Sequence, residues 1–263
     1  MCNIARSLRR LRTASVAGAA ALLAACDTSA PPPAARGASA DPALDETIAA
    51  LEQAVEAARV ELERLRDFEE IENLHSIYGF YVDKSRHDDV ADLFRRDSVY
   101  ELLGRGVFIG QDRIREYQHN FGPVGPRQGS LFNHMVLQPV IDVSPDGRSA
   151  HVRSRNLVMF GIHETNAQWG GAIYENTLIK EDGVWKFDYV HAYQTFYTVY
   201  EDGWARRASP IFAPYDRLPP DRPQSVQYDP YPAAFVPPFH YVNPVSGRSD
   251  HYADPAWRGD RAQ

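Results

Sequence analysis

GAIYENTLIKEDGVWKFDYVHAY, residues 171–193, reads as two long strands joined by the tight turn Asp182-Gly183. Asp-Gly between alternating segments is a strong local hairpin signal. Alternation places Ala172, Tyr174, Asn176 and Leu178 on one face of the first strand. It places Trp185, Phe187, Tyr189 and His191 on one face of the return strand. A face that mixes large apolar groups with Asn, Tyr and His predicts the lining of a polar-tipped pocket. An ordinary sheet core would be drier.

Upstream of the hairpin, Phe132 to Val143 reads as a long strand, turned by Pro145-Asp146-Gly147 into a second at Ala150 to Phe160. Before these come a helix ending near Asp83, a short helix from Asp88 to Phe94, a strand from Ser98 to Leu103 and a helix from Gln111 to Phe121. Helices first and antiparallel strands last define an α+β domain over 67–200. In the helix ending near Asp83, Phe68, Ile71, Leu74, Ile77, Tyr78 and Tyr81 make a broad apolar face.

Further upstream, Leu44, Ile48, Leu51, Val55, Ala58, Leu62 and Leu65 recur at alternating steps of four and three. This a/d seam covers the helix at 43–66. Two readings stand: a coiled coil that pairs protomers into a homo-oligomer, or one amphipathic helix packed on its own domain. Residues 26–42 are rich in Pro, Ala and Ser and read as a tether. Residues 201–263 hold eleven of the 19 prolines among Tyr, Phe and Asp. They read as irregular chain wrapping the domain or a partner.

Residues 1–25 carry Arg6, Arg9, Arg10 and Arg12, then a short apolar run ending Leu23-Ala24-Ala25-Cys26. The run is too short for a mature membrane span. Small residues before a cysteine resemble a bacterial lipoprotein signal. That resemblance implies cleavage before Cys26, lipidation of Cys26 and a membrane anchor in the cell envelope, facing the periplasm. Loss of 1–25 removes four arginines and no acids, taking the net charge from −7 to −11. Such an acidic chain argues against a nucleic-acid partner. Cys2 leaves with the signal, so neither a disulfide nor a cysteine nucleophile is available in the mature domain.

The order of elements, with YVDKSRHDDVADLF at 81–94, GQDRIREY at 110–117, NHMVLQPVIDV at 133–143 and DGVWKF at 182–187, resembles the SnoaL-like branch of the nuclear transport factor 2-like superfamily. The local pattern is similar to that of scytalone dehydratase. The resemblance implies a cone in which a curved antiparallel sheet wraps around helices. It implies a cofactor-free lyase or isomerase that takes a small apolar or aromatic molecule. It also implies that Asp83 and His134 form a hydrogen-bonded pair in the pocket, acting as acid and base. Tyr174 stands where that enzyme supplies an Asn, and its second pocket histidine falls near Met159 here, so His191 is the candidate replacement.

From the residues themselves, Tyr78 and Tyr81 lie three apart on one helix and can share a face. Asn156 and Asn176 sit at inward strand positions, where a buried amide needs partners. Tyr78, Tyr81, Asn156, Tyr174, Asn176 and His191 are therefore the candidate substrate contacts. Arg153 and Arg155 alternate against Val152, Ser154 and Val158, which places both on the convex face, open to a dimer partner. No His-Glu-x-x-His, Gly-x-Ser-x-Gly or dinucleotide fingerprint occurs, so the chain is expected to use no metal and no organic cofactor. The competing reading is a lipid-anchored protein that binds an apolar ligand or a protein partner without chemistry.

Overall fold

The turn expected at Asp182-Gly183 is formed, with φ of 50° and 78° at its two residues. In a computed structural model of the protein, described over residues 42–248, it joins β5 (Asn166–Glu181) to β6 (Val184–Val199). The expected signal at 1–25, Cys26 and all of the tether before residue 42 lie outside the described residues.

The other elements are α1 (Pro42–Asp83), α2 (His87–Asp92), β1 (Phe94–Leu102), β2 (Val107–Ile109), α3 (Gln111–His119), β3 (Ser130–Val143), β4 (Ser149–Ile162) and α4 (Gly203–Arg206). The six strands form one sheet in the order β2-β1-β6-β5-β4-β3. All neighbours are antiparallel except β1 and β6, which run parallel. The sheet is thus mixed within an α+β fold. The second expected helix stops at Asp92, and Phe94 opens β1. β2 was hidden in a glycine-rich turn, because three residues are too few to show a period.

α1 is one continuous helix. From Asp67 onward it buries Ile71, Leu74, His75, Tyr78 and Val82 against the sheet. Two members of the expected apolar face, Phe68 and Ile77, stay exposed. Asp67 anchors this half of the helix: its carboxylate accepts bonds from Trp185 Nε1 at 2.9 Å and Lys180 Nζ at 2.5 Å. Gly79 lets the helix close on β3, since a Cβ there would stand 2.8 Å from the His134 carbonyl oxygen. The helix ends in a tight reversal: Ser85 has φ of 50°, and the Arg86 N–H donates to the Tyr81 carbonyl at 2.9 Å. Asp83 is thereby held at the rim of the sheet. Leu51, Val55, Leu62 and Leu65 of the seam are all exposed.

β6 departs from simple alternation. Leu178 pairs with Phe187 but Thr177 pairs with Tyr189, leaving Asp188 as an extra residue. Such a bulge inverts which face the following residues occupy. Phe187 packs beside Tyr78 in the core, whereas Tyr189 and His191 turn to the opposite face and Val190 and Ala192 take the core positions. The Asp188 carboxylate is held by Arg95 at 2.5 Å.

The chain after β6 wraps that opposite face. The Ser225 N–H and hydroxyl donate to the buried Glu101 carboxylate at 2.7 and 2.9 Å. His240 Nδ1 meets the buried Glu175 carboxylate at 3.1 Å. Arg153 pairs with Glu175, donates to the Pro238 carbonyl at 3.0 Å and lies over the Phe239 ring. Arg153, placed on the convex face open to a partner, is covered by its own chain instead, while Arg155 is exposed.

Candidate functional site

α1, α3, β3 and β5 enclose a cavity of about 610 Å³. Among its lining residues are Tyr78, Asp83, His134 and Tyr174, four of the residues singled out from sequence. Phe132, Val158 and Phe160 add apolar wall, and Tyr100, Tyr117 and Gln118 add a polar floor.

His134 stands on β3 with its Nε2 3.2 Å from the Tyr174 hydroxyl on β5. Burial lowers its pKa to about 4. The imidazole is therefore neutral at neutral pH, with one nitrogen able to accept a proton. Burial also raises the Tyr174 phenol to about 12, so it too stays neutral. The Tyr174 ring meets that of Tyr78 edge-on, 6.2 Å between centres, and the Tyr78 hydroxyl lies 2.8 Å from that of Tyr100. Gln118 Nε2 donates to Tyr100 at 2.9 Å. The result is two hydrogen-bonded segments side by side in the cavity wall, Gln118–Tyr100–Tyr78 and Tyr174–His134.

Asp83 is placed differently from the expectation. Its carboxylate accepts a bond from the backbone N–H of His134, not from the ring. It fixes the strand on which His134 stands. Burial sets the imidazole's proton affinity and Tyr174 supplies its side-chain partner.

The remaining candidates lie outside the lining. Tyr81 packs at the edge of the core with the Arg86 guanidinium 5.4 Å over its ring. Asn156 Nδ2 donates to the Met135 carbonyl at 3.1 Å. Asn176 serves a core network: its Nδ2 meets His75 Nε2 at 3.2 Å, and its Oδ1 accepts from the His191 N–H at 3.3 Å. His75 Nδ1 in turn lies 3.0 Å from the Ile71 carbonyl. That network assigns the His75 proton to Nδ1. His191 is a correction. The Asp188 bulge carries it to the far face, 3.4 Å from the Glu101 carboxylate and stacked on Tyr193. It does not replace the missing pocket histidine.

Sequence reasoning missed Tyr100, Gln118, Phe212 and Tyr215 as lining residues. The first two carry no local signal beyond their strand or helix periodicity. Phe212 and Tyr215 belong to the wrapped C-terminal chain, and only long-range packing brings them to the cavity. Among the described residues, no group of three or more His, Cys, Asp or Glu is placed to hold a metal ion.

Residues 63–191 match the SnoaL-like domain family. With the fold above, this identifies the domain as a member of the SnoaL-like group of the nuclear transport factor 2-like superfamily. No curated protein matches the chain. Similar solved structures include a scytalone dehydratase candidate from Novosphingobium aromaticivorans, at 22% identity over 59% of this chain and 97% of that one, with a TM-score of 0.48. A hexachlorocyclohexane dehydrochlorinase (LinA, type 2) aligns at 20% identity over 59% of this chain and 99% of its own, with a TM-score of 0.46. A protein of unknown function from Mycobacterium tuberculosis aligns at 23% identity over 50% of this chain and 73% of its own, with a TM-score of 0.43. At these identities the likeness concerns the fold and transfers no chemistry.

Proposed function

We propose that this protein is a cofactor-independent lyase or isomerase for a small aromatic or otherwise apolar hydroxy or keto compound. One observation carries the reading: a neutral, half-buried His134, bonded to Tyr174, faces an aromatic-walled cavity large enough for such a molecule. In a dehydration, His134 takes a proton from carbon and the departing hydroxyl takes one from the His134–Tyr174 pair. The C–O bond breaks, and the products are an alkene and water. In the alternative cleavage, the base takes the proton of a hydroxymethyl O–H. The C–C bond breaks, formaldehyde leaves, and the carbanion receives the proton. Neutral phenols bordering the substrate oxygen stabilise charge as it forms.

The test is incubation of the purified protein with benzylic alcohols and lignin-type aryl dimers, read by mass spectrometry and a formaldehyde assay. Loss of a positioned acid/base group lowers the rate by about 100-fold or more. Should His134→Ala turn over the substrate as fast as wild type, the reading fails.

One observation favours the second reading, binding without chemistry. Asp83 meets the His134 backbone, so no carboxylate raises the basicity of the ring. A protein that binds these compounds at micromolar affinity and converts none of them supports that reading instead.

We further propose that the chain is a lipoprotein of the cell envelope, anchored through Cys26, and that the exposed seam at 43–66 pairs it with a second copy. The sequence around Cys26 and the exposure of the seam leucines support this. No described helix is long and apolar enough to cross a membrane. Incorporation of radiolabelled palmitate, abolished by Cys26→Ser, is the expected result for the anchor.

A further inference from the structure

The strongly acidic chain places basic side chains around its cavity: Lys84, Arg105 and Arg127 all line it. Lys84 and Arg127 are exposed and of the ordinary surface kind. Arg105 differs. It stands in the turn between β1 and β2, where Leu103, Gly104 and Gly106 all have positive φ. That turn is seated on the wrapped C-terminal chain: a Cβ on Gly104 would lie 2.5 Å from both Ile211 Cγ1 and the Phe212 carbonyl oxygen.

The same chain grips the Arg105 side chain. The guanidinium carbon lies 3.9 Å from the Tyr215 ring centre and 4.6 Å from that of Phe212. Nη1 donates to the Ala213 carbonyl at 2.5 Å. Two aromatic rings and one carbonyl thus position the fork, and a fixed guanidinium loses little freedom on meeting an anion. Among the described residues, no carboxylate lies within 4.0 Å of it. Its charge is felt inside the cavity, where it opposes the burial that raises the Tyr117 and Tyr197 phenols. The one carboxylate in the lining, Asp83, is occupied by the His134 backbone.

We infer that the cavity selects an aromatic ligand carrying one anionic group, and that Arg105, positioned by Phe212, Ala213 and Tyr215, binds that group. This deepens the function proposed above by naming the substrate class. Arg105 lies within the family-matched segment 63–191, and the C-terminal chain that positions it lies beyond that segment. A guanidinium in a partly desolvated site favours an anion over its neutral analogue by about tenfold or more.

The test uses two fluorescent probes that share an aromatic frame, 1-anilinonaphthalene-8-sulfonate and its neutral analogue N-phenyl-1-naphthylamine, titrated into the purified full chain. Wild type is expected to bind the sulfonate about tenfold more tightly or better. Arg105→Met is expected to remove that preference while leaving the neutral probe within about threefold. Arg155→Gln, which removes the same charge from the exposed far face, is expected to leave the preference intact. Equal affinity of wild type for both probes overturns the inference without any variant. So does an Arg105→Met protein whose preference is unchanged, or one that weakens both probes alike. The readout is binding alone, so it stands even where His134→Ala shows the catalytic proposal to be wrong. Turnover by a protein without the anion preference would leave the proposed function and remove only this inference.

Discussion

Asp83 and His134 are joined through the backbone of one and the side chain of the other: the carboxylate accepts the histidine's main-chain N–H. The carboxylate therefore ties the end of α1 to β3, and the imidazole is left to Tyr174. In a pair of the usual kind, the carboxylate would hold the ring and raise its proton affinity. Here the acid secures the strand and the phenol holds the ring.

That geometry separates two substitutions at Asp83. Asparagine keeps an acceptor oxygen for the His134 N–H, so Asp83→Asn is expected to retain activity or ligand binding within about tenfold. Asp83→Ala leaves a backbone donor without its partner and is expected to cost about 1–3 kcal/mol of stability. Thermal melts and ligand titrations of both variants check this. Near-complete loss of activity in Asp83→Asn, with the fold intact, would put the carboxylate in the proton transfer itself.

Tyr174→Phe keeps the ring and removes the hydroxyl that meets His134 Nε2. The expected outcome is a fall in turnover of about 10- to 100-fold with little change in melting temperature. The wild-type pH–rate profile carries the companion prediction. With His134 near 4, the base is unprotonated above that value. Activity should therefore stay level down to about pH 5 and fall below pH 4, whereas a solvent-exposed histidine would put that fall near 6.5. An acid limb centred near 6.5 contradicts the half-buried, neutral ring.

The sequence made the frame of the site readable because β4 and β5 keep strict alternation through the residues that matter. Tyr174 and Val158 fall inward as their positions require. What alternation misplaced is His191, where one extra residue at Asp188 reverses the pattern. No composition cue marks that bulge, since Asp188 is held by Arg95, far away in the chain. Asn176 was legible as a buried amide in need of partners. Its partner His75 lies 101 residues away, so its structural role in the core was not. The wrapped chain after residue 200 was readable as aromatic and irregular. Its contribution of Phe212 and Tyr215 to the cavity depends on contacts that no local pattern encodes.

The exposed seam gives a prediction about assembly. Leu51, Val55, Leu62 and Leu65 present an apolar stripe to solvent. Sedimentation velocity is expected to show a dimer or higher oligomer, and Leu62→Glu to shift it to monomer without altering the fold of the domain, since one charge in an a/d seam is enough to weaken a short coiled coil. A wild-type protein that sediments as a monomer at tens of micromolar would remove the pairing role of this helix.

Acid should unfold the domain by way of two histidines. Burial lowers both His75 and His134 to about 4. In the unfolded chain each has the ordinary value near 6.5. Between those values the unfolded state binds more protons than the folded one, so stability rises with pH across the window. Stability is fully present above about 6.5 and drains away as pH falls to 4. Each histidine accounts for up to roughly 3 kcal/mol of that loss, a large part of what a single domain possesses. Melting temperatures measured from pH 7 to 4 should therefore drop steeply. His75→Phe should flatten the drop, because a ring that cannot be protonated removes one of the two terms. It should also lower stability at pH 7, because Asn176 loses the partner of its amide. A wild-type melting temperature that holds steady down to pH 4 would show that neither histidine is kept neutral by the fold.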